Sequence, residues 1–331
     1  MKKIIILFVL TLVVASCKNE QTKQSDTVRL IKTDGPVFGT GYNIRYYAKE
    51  EYQKQFDSLF AVINQSLSTY IPNSDISKWN RNETVNVDEH FKTVFNTSKK
   101  IFKESKGVFD PTIGNVVNAW NFGPDENKFL TDSATIIELM THVGFDRVKM
   151  LPTKFIRPDK AYLDFNAIAK GYGIDVIADF LETNGVYNYL VDVGGDLRAN
   201  GTNLDEKRGW TVGVEDPNFD GSKSYSKVIT LEGKGMATSG TYRKFKVDDY
   251  GNRYAHIINT KTGYPTKTNV LSVSVIAPNA MLADGYATTF QAMGVDGTTA
   301  FLETHPELQV YFIYLDEKNE LQTLSLNGFP E

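Results

Sequence analysis

Helical periodicity dominates the first half of the chain. Apolar residues recur every three or four positions within residues 56–67, 91–102 and 133–142, which is the spacing of one face of an α-helix. Gly107 and Gly144 follow the second and third segments, as is typical just beyond a helix C-terminus. The pattern therefore predicts three helices before residue 145.

Short alternating segments, typical of β-strands, prevail in the second half, where Gly, Asn and Asp turns separate them. Residues 279–293 return to a helical pattern. The predicted strands are 37–48, 189–193, 210–214, 227–231, 242–247, 270–276 and 310–315. Because helices and strands are mixed without a regular βαβ alternation, we predict an α+β fold with a largely antiparallel sheet.

Residues 162–173 join a short apolar segment to the start of a helix. The pattern predicts a strand over Tyr162–Phe165 and a helix from Asn166 to about Thr183. Asp164 lies at the strand end, and Lys170 lies in the first helical turns beside glycines. Since the first N–H groups of a helix have no intrahelical partner, such a junction suits a phosphate-bearing ligand.

Composition narrows the possible partners. The chain has 331 residues, of which 41% are hydrophobic and 23% charged, as expected for one large globular domain or two fused subdomains. The formal net charge is −4, and the sequence contains no basic block and no basic–aromatic stripe. Nucleic acid is therefore excluded as an expected partner.

The N-terminus has the pattern of an export signal. A basic start precedes the apolar run Ile4–Val14, which is too short to span a membrane, and the small residues Ala15 and Ser16 follow it. The next residue, Cys17, is the only cysteine of the chain. Small residues directly before a lone cysteine resemble a bacterial lipobox, and an ordinary signal peptide is the alternative.

This segment sets the predicted domain organisation. We predict a lipoprotein signal peptide over residues 1–16, a lipidated Cys17 with a polar tether over residues 17–35, and one folded domain over residues 36–331. The protein is then an exported lipoprotein, anchored to the inner membrane and facing the periplasm.

Asp284 and Thr288 are the first candidates for metal ligands. They lie four residues apart on a predicted helix, so both project from one face. A carboxylate and a hydroxyl are hard oxygen donors, which match Mg²⁺ or Ca²⁺. A solvated helix face is the alternative, but mostly small or apolar neighbours favour a buried position with a function.

Two further residues allow two interpretations each. Asp110 precedes Pro111 between helical segments, where it can cap a helix or contact a ligand. His256 lies in an apolar segment, where it can be a structural histidine or a base for a hydroxyl nucleophile. The sequence contains no Ser/His/Asp triad signature, no cysteine-based metal spacing and no Walker or Rossmann fingerprint.

A series of short motifs, taken together and in order, resembles the ApbE-type FAD:protein FMN transferases from about residue 36 to residue 300. The matching segments are 38–40, 70–77, 109–114, 164–171, 193–196, 237–240, 256–265, 274–278 and 282–288. The resemblance implies an ApbE-like, T-fold-related architecture. It also implies a Mg²⁺-dependent enzyme that attaches the FMN moiety of FAD to a threonine hydroxyl of another protein and releases AMP. The implied acceptors are exported redox proteins, such as subunits of NADH:quinone reductase complexes.

The resemblance also implies roles for individual residues. The metal ligands would be the backbone oxygen of Ala167, the Asp284 carboxylate and the Thr288 hydroxyl, and Asp284 is in addition the candidate proton acceptor in catalysis. The implied FAD contacts are Phe38, Tyr70, Asp110, Asp164, Lys170 and Ile258. One departure is Asn166–Ala167, where many members of the family have paired glycines; a backbone ligand tolerates the small alanine.

Two alternatives to transfer remain open. In a FAD pyrophosphatase, water would replace the acceptor hydroxyl, and FMN and AMP would be released from the same metal site. A non-catalytic flavin-binding lipoprotein is the other alternative, although binding alone needs no metal-polarised pyrophosphate.

Overall fold

An eight-stranded antiparallel sheet forms the centre of the computed structural model, which describes residues 27–124, 131–152, 154–217, 224–241, 245–247 and 253–331. The strands are β1 (Arg29–Val37), β2 (Thr40–Ala48), β3 (Lys149–Met150), β4 (Phe155–Ile156), β5 (Tyr189–Val193), β6 (Asp196–Asn200), β7 (Thr202–Asn203), β8 (Arg208–Glu215), β9 (Tyr225–Leu231), β10 (Lys234–Gly240), β11 (Phe245–Val247), β12 (Arg253–Ala255), β13 (Val270–Ala277), β14 (Gln309–Leu315) and β15 (Leu321–Leu326). The order in the large sheet is β1-β2-β5-β6-β10-β13-β14-β15, and β7-β8-β9, β3-β4 and β11-β12 form smaller sheets.

The helices are α1 (Gln53–Leu67), α2 (Asp75–Asn80), α3 (Glu89–Glu104), α4 (Gly114–Ala119), α5 (Ser133–Met140), α6 (Ala169–Thr183) and α7 (Ala280–Leu302), with a 3₁₀ turn at Phe145–Arg147. Helices α1 to α6 lie between β2 and β5 along the chain, and α7 lies between β13 and β14. Helix α7 contains a non-helical residue, Gly294, with φ 72°. The α6 and α7 helices pack against each other and against the large sheet.

Side-chain alternation along the strands explains the layers. On β5, Val191 and Val193 pack in one hydrophobic cluster with α1 and α6, whereas Leu190 packs in another with Trp210 of β8. The large sheet is therefore covered by helices on one face and by the β7-β8-β9 sheet on the other. Strands buried on both faces are apolar at nearly every position, as β13 is.

The structure confirms the α+β prediction and the predicted helices. The segment predicted as one strand over 37–48 is instead the end of β1, a two-residue turn and β2. In the turn, Phe38 and Gly39 have φ of 49° and 73°, as a tight hairpin turn requires. Because β1 pairs with β2 from Arg29 onward, the folded domain includes residues 29–35, which the sequence analysis assigned to the tether.

The predicted strand at Tyr162–Phe165 is wrong. Only Tyr162 makes an isolated bridge, and helix α6 begins at Ala169 rather than at Asn166. The Asn80 side chain takes the place of a neighbouring strand, since its amide accepts from the Leu163 N–H at 2.8 Å and donates to the Leu163 carbonyl at 2.9 Å. A side chain remote in sequence thus satisfies this segment's backbone.

Two sets of predictions fall outside the described residues. The signal peptide and Cys17 lie before residue 27, and the first residues of the predicted strand 242–247 precede β11. Within the part of the chain that the structure describes, no helix has the length and apolarity needed to cross a membrane.

Candidate active site

The candidate site lies where α6 and α7 cross, and Gly171 makes the crossing possible. A Cβ on Gly171 would lie 2.2 Å from the Ala280 carbonyl oxygen and 2.8 Å from the Asp284 Cβ, closer than van der Waals contact allows. Its N–H donates to Asp284 Oδ2 at 2.9 Å. The close approach of the two helices therefore brings a carboxylate of α7 to the first turn of α6.

Because of that hydrogen bond, the Ala167 carbonyl oxygen lacks its usual helical N–H donor. In a regular helix the Gly171 N–H would donate to the carbonyl four residues earlier, which is that of Ala167. Here it donates to Asp284 instead, and no N–H of the described residues donates to the Ala167 oxygen. The turn before α6 thus leaves a backbone oxygen available beside the Asp284 carboxylate.

Thr288 lies one helical turn after Asp284 and is half-buried. The neighbouring Thr289 donates its hydroxyl to the Gly285 carbonyl at 2.7 Å, as threonines in helices commonly do. In contrast, the Thr288 hydroxyl has no hydrogen-bond partner among the described residues. The predicted placement of Asp284 and Thr288 on one helix is confirmed by α7.

These donors fit a hard divalent cation. A carboxylate, a hydroxyl and a backbone carbonyl are all oxygen ligands of the kind that Mg²⁺ prefers, and water and phosphate oxygens ordinarily complete its six positions. Among the described residues, no group of three or more His, Cys, Asp or Glu side chains could hold a metal ion by itself. A metal here would therefore depend on a backbone oxygen as well as on side chains, with water or phosphate oxygens completing its shell.

Lys170 lies among carboxylates at the same place. Its Nζ lies 2.7 Å from Oδ2 of Asp196, a residue at the β5–β6 turn whose side chain is only 3% exposed. Burial alone lowers the pKa of Lys170, but the charges of Asp196, Asp284 and Asp192 outweigh it and raise the pKa above its ordinary value. One ammonium faces three carboxylates, so the site is locally negative and favours an added cation.

Asp164 and Tyr70 form a second part of the site, just before α6. Asp164 is buried, and its Oδ1 accepts the N–H of the exposed Asn166 at 2.7 Å. Burial raises the pKa of Asp164, and its hydrogen bonds with Asn166 oppose that shift. Burial of the hydroxyl and then the Asp164 charge raise the pKa of Tyr70, although its side chain as a whole is largely exposed. The tyrosine therefore offers an open ring beside a buried carboxyl.

Asp110 has a structural role in this fold. Its Oδ1 accepts the N–H and the hydroxyl of Thr112 at 2.8 and 2.5 Å, and its Oδ2 accepts the Phe145 N–H at 3.1 Å. It closes a turn and does not cap α4, whose N-cap residue is Ile113. Asp110 still lies close to the site, because the next residue, Pro111, accepts the Asp164 N–H at 2.8 Å.

The other two predicted FAD contacts are mainly packing residues. The Phe38 ring makes an edge contact with Phe60 and lies against Gly173 of α6. The Ile258 side chain is buried in a separate cluster with Trp120, the residue that follows α4. The structure therefore places Lys170 and Asp284 at one crossing, with Ala167 in the turn just before α6 and Thr288 one helical turn further along α7. It places Ile258 in a different cluster.

Three contributors to the site escaped the sequence analysis. They are the Gly171 N–H, the Asp196 partner of Lys170 and Asp175, which binds the start of α7. Asp196 follows a Gly194–Gly195 turn, and turns of that kind admit close approach of another group. That turn was the one available signal.

Comparison with known proteins now identifies the family. The model of the ApbE family matches residues 38–312, which include every residue of the crossing. The chain belongs to the ApbE family. The resemblance found in the sequence is thereby confirmed.

Relatives of this ApbE-family chain match over most of their length. It is 32% identical to the FAD:protein FMN transferase of Haemophilus influenzae, with 100% of this chain and 98% of the relative covered. It is 34% identical to the FAD:protein FMN transferase of Vibrio cholerae, with 89% of this chain and 88% of the relative covered.

Solved structures of the ApbE family share the fold. The flavin transferase ApbE from Vibrio cholerae superposes with a TM-score of 0.81 and 29% identity, covering 90% of this chain and 97% of that one. The apo form of the Pseudomonas stutzeri flavinyl transferase ApbE gives a TM-score of 0.80 and 26% identity, covering 90% of this chain and 95% of that one. These matches confirm the predicted ApbE-like arrangement of mixed helices and antiparallel sheet.

Proposed function

We propose that this protein is a Mg²⁺-dependent FAD:protein FMN transferase, the activity for which its curated relatives are named. The observation that carries the proposal is the hydrogen bond from the Gly171 N–H to Asp284, which brings this carboxylate to the turn that contains the Ala167 carbonyl oxygen. The Thr288 hydroxyl lies one helical turn further along α7. This is a set of hard oxygen donors at the start of a helix, where a pyrophosphate is favoured.

The proposed reaction is a phosphoryl-group substitution. A threonine hydroxyl of the acceptor attacks the phosphorus on the FMN side of FAD, a new P–O bond forms, and the bond from that phosphorus to the bridging oxygen breaks. AMP leaves with the bridging oxygen, and the acceptor carries FMN as a phosphoester. Bound Mg²⁺ would neutralise pyrophosphate charge and support in-line displacement.

The residues of this chain would bind the metal, accept the hydroxyl proton and contact FAD. Ala167, Asp284 and Thr288 would hold the metal, and the second oxygen of Asp284 is the candidate acceptor for the hydroxyl proton. Lys170 is held by Asp196 but remains 28% exposed, so it can present further N–H groups to a phosphate. The proposed FAD contacts are Phe38, Tyr70, Asp110, Asp164, Lys170 and Ile258.

Product analysis tests this function. The purified protein is incubated with FAD and Mg²⁺, with and without a co-expressed acceptor, and the small-molecule products are separated by chromatography. Transfer predicts AMP release that requires the acceptor, with little free FMN. Asp284→Ala should abolish this AMP release. AMP together with an equal amount of free FMN, whether or not acceptor is present, would instead identify a pyrophosphatase. Neither product would leave a flavin-binding protein.

We also propose that the protein is an exported lipoprotein anchored through Cys17, and that its acceptors are exported redox proteins of the NADH:quinone reductase type. The support is the signal-like N-terminus and the lone cysteine after small residues. Cys17→Ala should move the protein from the membrane fraction to the soluble fraction. Identical fractionation of variant and wild type would contradict the anchor.

A further inference from the structure

The first turn of α7 is capped from two sides. Its own N-cap residue, Asn279, accepts the Leu282 N–H at 2.9 Å. The two preceding N–H groups, those of Ala280 and Met281, donate to the two carboxylate oxygens of Asp175 at 2.9 and 2.8 Å. Asp175 belongs to α6, so one helix supplies the cap for the other.

Arg198 of β6 holds that carboxylate in place. Its Nη1 lies 3.0 Å from Asp175 Oδ1 and 2.9 Å from Asp179 Oδ1, and its Nη2 lies 3.4 Å from Glu182. The three acids follow one face of α6, but they differ in exposure: Asp175 is buried, whereas the Asp179 side chain is 66% exposed. The planar guanidinium therefore orients one buried carboxylate among its partners.

The backbone of α7 has little freedom to shift at this point. A Cβ on Gly171 would lie 2.2 Å from the Ala280 carbonyl oxygen, and a Cβ on Gly235 of β10 would lie 2.2 Å from the Ala280 nitrogen. Ala280 is thus enclosed between α6 and β10, and the charge-assisted bonds to Asp175 fix it there. Asp284 follows one helical turn later.

We propose that Asp175, held by Arg198, is a positioning residue for the metal site. Because α7 is a rigid rod over its first turns, the placement of Ala280 sets where Asp284 and Thr288 stand relative to the Ala167 carbonyl oxygen. Asp175 acts without touching metal or FAD. This inference rests on the proposed metal site and adds the residue that fixes the start of the helix carrying Asp284 and Thr288. Partners that orient metal ligands elsewhere change metal affinity about 10- to 100-fold when removed.

The test is the Mg²⁺ affinity of the full-length protein without FAD, measured by titration calorimetry on variants whose folding is checked by circular dichroism. Asp175→Asn turns one of two acceptor oxygens into a donor that opposes a backbone N–H, and we expect Mg²⁺ binding to weaken about tenfold or more. Asp179→Asn is the matched control. It makes the same chemical change and shares Arg198, but it has no bond to α7, and we expect affinity within about twofold of wild type.

Arg198→Gln is a second test variant, which tests the positioning role of Asp175 if Asp175→Asn does not fold. It leaves the Asp175 carboxylate bonded to the N–H groups of α7 but removes the guanidinium that orients it. We expect several-fold weaker Mg²⁺ binding. Wild-type Mg²⁺ affinity in these folded variants would overturn the positioning role while leaving the metal site intact. If wild type itself binds no Mg²⁺, the metal-site proposal and this inference fall together.

Discussion

The N–H of Gly171 and the carboxylate of Asp284 meet at 2.9 Å across two helices that nearly touch. A side chain on Gly171 would collide with the backbone of Ala280 and with Asp284 itself. We therefore expect Gly171→Ala to force α6 and α7 apart, lowering the free energy of unfolding by about 1–3 kcal/mol and abolishing Mg²⁺ binding. Urea denaturation and titration calorimetry measure the two effects.

An exposed glycine of α7 provides the control for that variant. Gly297 is exposed, and a Cβ there would meet only the Met293 side chain, at 3.2 Å. Gly297→Ala should change stability by no more than about 1 kcal/mol, in the stabilising direction expected for a helix. Equal losses in the two variants would show that the crossing has no special packing.

The Lys170–Asp196 ion pair should matter for stability more than a surface pair does. Asp196→Asn removes the partner of a largely enclosed ammonium, and we expect a loss of about 1–3 kcal/mol, less than for a fully buried pair because Lys170 is 28% exposed. Glu138→Gln removes a pair with Lys160 in which both side chains are more than 60% exposed, and it should cost less than about 0.5 kcal/mol. Urea denaturation of both variants measures the difference, and similar losses would contradict the enclosed pair.

Two adjacent threonines on α7 allow function and stability to be separated. Thr288→Val removes a hydroxyl without a hydrogen-bond partner among the described residues, so we expect little change in stability. Because a metal ligand is lost, we expect AMP release to require a higher Mg²⁺ concentration. Thr289→Val removes a hydroxyl that bonds the Gly285 carbonyl, and we expect unchanged Mg²⁺ dependence with a stability change below about 1 kcal/mol. The reverse assignment of effects would exclude Thr288 as a ligand.

Asp164 should make stability depend on pH in a definite direction. Burial raises its pKa in the folded protein, so the folded state binds the proton more tightly than the unfolded state. Its stabilising contribution is fully present below the unfolded pKa and is lost as pH rises through the folded pKa. Asp164→Asn mimics the protonated form, and we expect it to be more stable than wild type at pH 7, with the difference vanishing toward about pH 4.

Asp132 provides a control of opposite sign. Hydrogen bonds from Thr135 lower the pKa of this exposed N-cap carboxyl, so its contribution is present above the unfolded pKa and is lost as pH falls through the folded pKa. Asp132→Asn should be less stable than wild type at pH 7, and that difference should also vanish in acid. Thermal denaturation across pH measures the stability difference of each variant from wild type. If both variants were less stable than wild type at pH 7, or both more stable, the result would contradict the burial effect at Asp164.

The sequence predicted those parts of the site that depend on local spacing. Asp284 and Thr288 were found because four residues on a helix place side chains on one face. The Ala167 ligand came from the family resemblance, and only the structure supplies a reason for it: the Gly171 N–H is diverted to another helix. No local pattern reports such a diversion.

Long-range contacts account for what was missed. The strand predicted at Tyr162–Phe165 failed because the Asn80 side chain bonds the Leu163 backbone across 83 positions of sequence. The Lys170–Asp196 and Arg198–Asp175 pairs join α6 to β6, and their charges alone did not indicate which residues meet. Strand β1 was missed because its first residues continue a polar segment, although its partner β2 was predicted.

The most direct test of the account is the intact mass of an acceptor protein after incubation with this protein, FAD and Mg²⁺. We predict that the acceptor gains the mass of one FMN less one water, that AMP is released in equal amount, and that both disappear in Asp284→Ala and when the modified threonine of the acceptor is replaced by valine. An unmodified acceptor, with FAD converted to free FMN and AMP, would contradict transfer.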